Sequence, residues 1–97
     1  MVARRKLTSK SSRAELRFYS RSVLCGLCEV SEHELALWES EDLIAPARLL
    51  ERGNRFEPLY DQAALRRVRL IRTLAEELEV NVPGISVILH LLEQIEG

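Results

Sequence analysis

The chain has 97 residues, 46% hydrophobic and 30% charged, with a formal net charge of −1. That suits one compact domain with a modest core, and no stretch approaches the roughly 18 apolar residues of a membrane span. Two cysteines are too few for a disulfide framework, and the start MVARRKLTSKSSR lacks the apolar core of a secretory signal, so a cytoplasmic protein with free thiols is expected.

The near-neutral total hides a segregation of charge. Residues 1–21 hold seven Lys or Arg against the single acid Glu15, while residues 22–44 hold six acids and no Lys or Arg. The net is +1 for residues 45–60, zero for 61–79 and −2 for 80–97. The whole-chain charge therefore says little about partners.

In chain order, residues 1–13 are basic and Ser-rich with few large apolar groups. They read as a flexible tail ahead of a domain at 14–97, since so little burial does not offset ordering entropy. A solvated tail is the plain reading, and contact with nucleic acid or acidic lipid the functional one. ELRFY alternates from Glu15, which predicts a short strand with Leu16 and Phe18 on one face. Ser20 or Ser22 then caps a helix through Leu27.

Ser31, with Glu34 three residues on, has the spacing of a capping box and starts a second helix. Leu35 and Trp38 face the core there, with Val30, Leu43 and Ile44 closing over the ends, which leaves Glu32, His33, Glu39 and Ser40 outward. Between Ala45 and Tyr60, two prolines and Gly53-Asn54 among closely spaced apolar residues predict a β-hairpin, or wing, that Pro58 restricts to an edge. Asp61 is a candidate N-cap for the helix QAALRRVRLIRTLAEEL, with Leu65, Val68, Ile71 or Arg72, and Leu78 on its apolar side. NVPG gives a turn with Pro83 at the first position of a last helix. In that helix Ile85, Ile88, Leu89 and Leu92 form one stripe. Val87, Leu91 and Ile95 form a second, and the combined apolar arc of about 200° is wide for a helix with one side in water.

Chemistry-bearing motifs are few. Cys25-x2-Cys28-x4-His33 begins like a zinc knuckle, but Trp38 occupies the fourth ligand's place and His90 stands alone in the last helix. Small core thiols are the better reading, with no metal and no cofactor. There is no phosphate loop, nucleophile elbow or His-rich cluster, so no enzyme is expected.

The order helix, turn, capped helix, wing and two further helices resembles the winged helix-turn-helix of the MerR family, including regulators of the HspR kind. The likeness runs through LALWESEDLIAPAR, GNRF and PGI, over about residues 22–95, and implies a mainly α fold with a short N-terminal strand and a β-hairpin wing. MerR recognition helices usually set an Arg beside the aromatic before the Glu; here the neighbourhood is Leu35, Ala36, Leu37, Trp38 and Glu39. A helix with Glu32, Glu34, Glu39, Glu41 and Asp42 repels phosphate, leaving Arg48, Arg52 and Arg55 of the wing as DNA contacts in that reading.

Two stretches, LRRVRLIRTLAEELEV and NVPGISVILHLLEQI, resemble CbpM, a chaperone-modulator family built on a MerR-like fold. The resemblance implies binding to the J-domain of a DnaJ-like co-chaperone of the CbpA type, restraining its action on DnaK. Glu32, Glu39, Glu41 and Asp42 would supply charge against a basic J-domain helix, with His33 and Trp38 at the edge. Val87, Leu91 and Ile95 would pack on a second copy or on a partner. A DNA-binding regulator of the MerR family is the alternative.

Overall fold

The computed structural model describes residues 17–96. The basic segment 1–13, with Glu15 and Leu16 of the expected strand, lies outside the described residues.

Helix α1 (Arg21–Cys28) starts at Ser20, whose hydroxyl accepts the Val23 N–H at 3.3 Å. It buries Leu24, Cys25 and Cys28. Glu29 ends it in the left-handed region (φ 59°), and the Val30 N–H reaches back to the Cys25 carbonyl at 3.1 Å. Such a reversal usually takes glycine, because a Cβ there costs about 1–2 kcal/mol. Here it drops Val30 into the core.

Helix α2 (Glu32–Ser40) carries the complete capping box: Ser31 Oγ accepts the Glu34 N–H and Glu34 Oε1 accepts the Ser31 N–H, each at 3.0 Å. Leu35 and Trp38 pack inward. Asp42 (φ 61°) closes the far end, with the Leu43 N–H on the Trp38 carbonyl at 2.9 Å, and turns Leu43 and Ile44 under the helix.

The wing is an antiparallel hairpin, β1 (Arg48–Arg52) and β2 (Arg55–Leu59), in the register Arg48↔Leu59 to Arg52↔Arg55. Gly53 holds φ 60° at the first of two turn positions, where a side chain would be strained. Among the described residues the expected N-terminal strand contributes one bridge, Tyr19↔Tyr60, with N–H···O distances of 2.7 and 2.8 Å. Ser20 already caps α1, which ends the pairing on its C-terminal side, and Phe18 lies beneath the Arg48 guanidinium at 5.1 Å.

Helix α3 (Gln62–Arg72) is capped by Asp61, which accepts the Ala64 N–H at 2.9 Å, and buries Ala64, Leu65, Val68 and Ile71. It does not run regularly to Leu78 as the periodicity predicts. Thr73–Glu77 form a π turn, with the Leu78 N–H on the Thr73 carbonyl at 3.1 Å. The wider turn changes the phase, so Leu74 is buried and Leu78 is left 64% exposed. Helix α4 (Val82–Glu96) follows. Its cap is Asn81, whose Oδ1 accepts the Gly84 N–H at 2.9 Å, so Pro83 is the second helical residue rather than the first. Ile85 and Leu89 seat α4 on the core.

Candidate functional site

Helix α2 is the second helix of the helix-turn-helix, and its solvent side is set by the residues it buries. Leu35 and Trp38 are pinned inward, so His33, Ala36, Leu37 and Ser40 come to the surface, with Glu32, Glu41 and Asp42 exposed at the two ends. No Lys or Arg belongs to this helix. Glu32, His33, Glu41 and Asp42 are thus exposed to solvent.

Two expected contact residues are not. Trp38 is 4% exposed and is part of the core, three residues from Leu35 on the buried side. Glu39 is drawn into a three-residue network. Its carboxylate lies 2.7 Å from Arg21 Nη1 and accepts the Tyr60 hydroxyl, while Arg21 Nη1 also donates to Tyr60 Oη at 3.0 Å. The Glu39 side chain is 22% exposed against 63% for Glu32, which stands 3.8 Å from Arg21 Nε. Burial pushes the Tyr60 phenol well above its ordinary range, and the adjacent Glu39 carboxylate reinforces the shift. The network ties the start of α1, the recognition helix and the foot of the wing together. Sequence spacing gave no hint of it, because Arg21 is 18 residues from Glu39 and 39 from Tyr60.

Leu37 is the residue that pattern reading missed. It is 46% exposed and stands mid-face on α2. Helical geometry surrounds it with His33 and Glu34 one turn before and Ser40 and Glu41 one turn after. The signal was present in the sequence: with Leu35 and Trp38 assigned inward, position 37 cannot also face the core.

Strand alternation divides the wing. Arg48, Leu50 and Arg52 share a face with Leu59, Glu57 and Arg55, and Leu49 and Glu51 share the other with Pro58 and Phe56. Of the three arginines, Arg52 is paired to Glu57 at 2.9 Å and Arg48 covers the Phe18 ring, which leaves Arg55 without a partner among the described residues. Leu49 and Phe56 are both exposed.

Elsewhere, Val87, Leu91 and Ile95 are 58%, 52% and 80% exposed, so the second stripe of α4 is bare. A cleft of about 490 Å³ opens between the base of the wing, α3 and α4. Arg67 crosses its edge, donating from Nε to the Leu43 carbonyl at 2.6 Å and from Nη1 to Glu93 at 2.8 Å. Cys25 and Cys28 are buried, and burial pushes both thiols upward, toward the protonated form. His33 is exposed to solvent, whereas both cysteines are buried. Among the described residues no three His, Cys, Asp or Glu side chains are grouped to hold a metal, and no helix is long and apolar enough to cross a membrane.

Two helices joined by a tight turn, followed by a hairpin and two further helices, make a winged helix-turn-helix domain. The family described as MerR HTH family regulatory protein matches residues 19–97, and the chain belongs to that family. No curated protein matches it.

Proposed function

We propose that this MerR-type domain is a protein-binding chaperone modulator of the CbpM kind. It binds the J-domain of a DnaJ-like co-chaperone of the CbpA type and restrains its action on DnaK, without catalysis or cofactor, in the cytoplasm. The observation that carries the reading is the solvent face of α2, where Glu32, Glu41 and Asp42 are exposed and the helix itself carries no base, Arg21 of α1 standing beside Glu32 alone. A groove lined with phosphates repels such a face, whereas a basic J-domain helix is attracted to it. The wing supports the same reading, since Leu49 and Phe56 occupy solvent positions and Arg52 is already neutralised by Glu57. The bare stripe Val87, Leu91 and Ile95 suits self-association through α4.

The test is charge reversal at Glu32→Lys and Glu41→Lys, leaving the capping pair Ser31 and Glu34 intact. Association with the J-domain should slow at low salt and the difference should shrink at high salt, because exposed charges act mainly on encounter. An unchanged association rate at low salt removes this reading. The alternative, a DNA-binding regulator, draws on the family match and on exposed Arg48 and Arg55. It predicts the opposite response, tighter duplex binding by the same variant. Duplex affinity of the wild type tighter than about micromolar at physiological salt, independent of residues 1–13, would favour it.

A further inference from the structure

We propose that Leu37 is the apolar anchor of the α2 surface, and that its occupant is the apolar side of a basic amphipathic helix in the partner. This deepens the J-domain reading and rests on it.

The helix spends its inward positions on Leu35 and Trp38, both buried. Leu37 is therefore surplus to the core, yet it stands at the middle of the exposed side, 46% open, with Ala36 beside it. The Ser40 hydroxyl donates to the Leu37 carbonyl at 2.6 Å, so the polar group one turn on is directed back to the helix backbone. Around this knob stand Glu34 and Glu41, with Glu32 and Asp42 further out. An apolar centre inside a charged rim is the anatomy of a protein-binding hot spot: the centre is desolvated on contact, and the rim stays wet and selects the partner's charge.

The occupant follows from that rim. Its charged members Glu32, Glu34, Glu41 and Asp42 are all acids, with His33 and Ser40 between them and Arg21 only at the Glu32 end, so a phosphate backbone or an acidic protein would be repelled, and a helix with bases flanking an apolar stripe is complementary. The charges and the anchor act on different steps. Glu32 and Glu41 govern the rate of encounter, and Leu37 governs how long the complex lasts. Arg21 holds Glu39 inward at 2.7 Å and stands 3.8 Å from Glu32, so Glu34, Glu41 and Asp42 are the rim acids it does not pair.

The experiment measures association and dissociation rates of the full chain and its Leu37→Ser and Leu37→Met variants against the J-domain. Fold is checked by circular dichroism and by Trp38 emission. Leu37→Ser should dissociate about tenfold faster or more with little change in association, and Leu37→Met should resemble the wild type. Wild-type dissociation of a folded Leu37→Ser variant overturns the proposal. So does a loss confined to the wing variant Leu49→Ser/Phe56→Ser, which would place the anchor on the hairpin. If the wild type binds no J-domain at all, the chaperone reading fails on its own, and a synthetic Leu/Lys amphipathic helical peptide then decides the anchor. Saturable binding weakened tenfold by Leu37→Ser upholds it, and equal or absent binding overturns it.

Discussion

Removing one oxygen at Tyr60 tests the network that fixes the recognition helix to the wing. In Tyr60→Phe the ring remains in its fully buried site, but the hydroxyl that donates to Glu39 and accepts from Arg21 is gone. A hydrogen bond to a charged group contributes about 1.5–3 kcal/mol. Glu39 keeps Arg21 at 2.7 Å and retains some water, so the lower half of that range applies. The expected loss is about 1.5–2 kcal/mol, or roughly 6–16 °C in Tm for a domain of this size. Urea titration followed by emission of Trp38, the single tryptophan, measures it directly. A pH series adds an independent readout. The folded phenol is raised above its ordinary value of 10.0, so above that pH the unfolded chain loses the proton while the folded chain keeps it. Stability contributed by Tyr60 is therefore complete below pH 10 and declines as the pH climbs beyond it, by up to about 1.4 kcal/mol per unit, a share absent from Tyr60→Phe. A variant within about 0.5 kcal/mol of the wild type at neutral pH, with the same alkaline slope, would refute the network's role.

Three further outcomes are expected. Glu79 sits at φ 55° after the π turn, so Glu79→Gly should gain about 0.5–1 kcal/mol in urea unfolding, the left-handed penalty less glycine's entropy. Gly84→Ala should lose about 1–3 kcal/mol, because the new Cβ would stand 2.7 Å from Val80 Cγ1 and 3.0 Å from Asn81 Oδ1, displacing the cap of α4. Val87→Glu/Leu91→Glu should keep its circular dichroism but lower the mass in sedimentation or weaken J-domain binding; equal values for both with the wild type contradict an α4 interface.

Local rules in the sequence determined most of the fold. Ser31 with Glu34 marked the start of α2, Gly53-Asn54 placed the hairpin turn, Asp61 began α3, and the pair Leu35 and Trp38 faced inward as their spacing requires. Each depends on partners within a few residues, and such short-range chemistry can be read along a chain. The acidic composition of α2, without a base of its own, was legible for the same reason. Tertiary structure decided what distant partners control. Glu39 looks like one more surface acid until Arg21 and Tyr60 converge on it. Leu78 carries the right period for the core, yet the π turn rotates it into water, and of the ELRFY alternation the described residues give one bridge, Tyr19 to Tyr60, before Ser20 starts α1. Periodicity assumes a regular helix or ladder, and it fails where packing against another element changes the phase or ends the pairing.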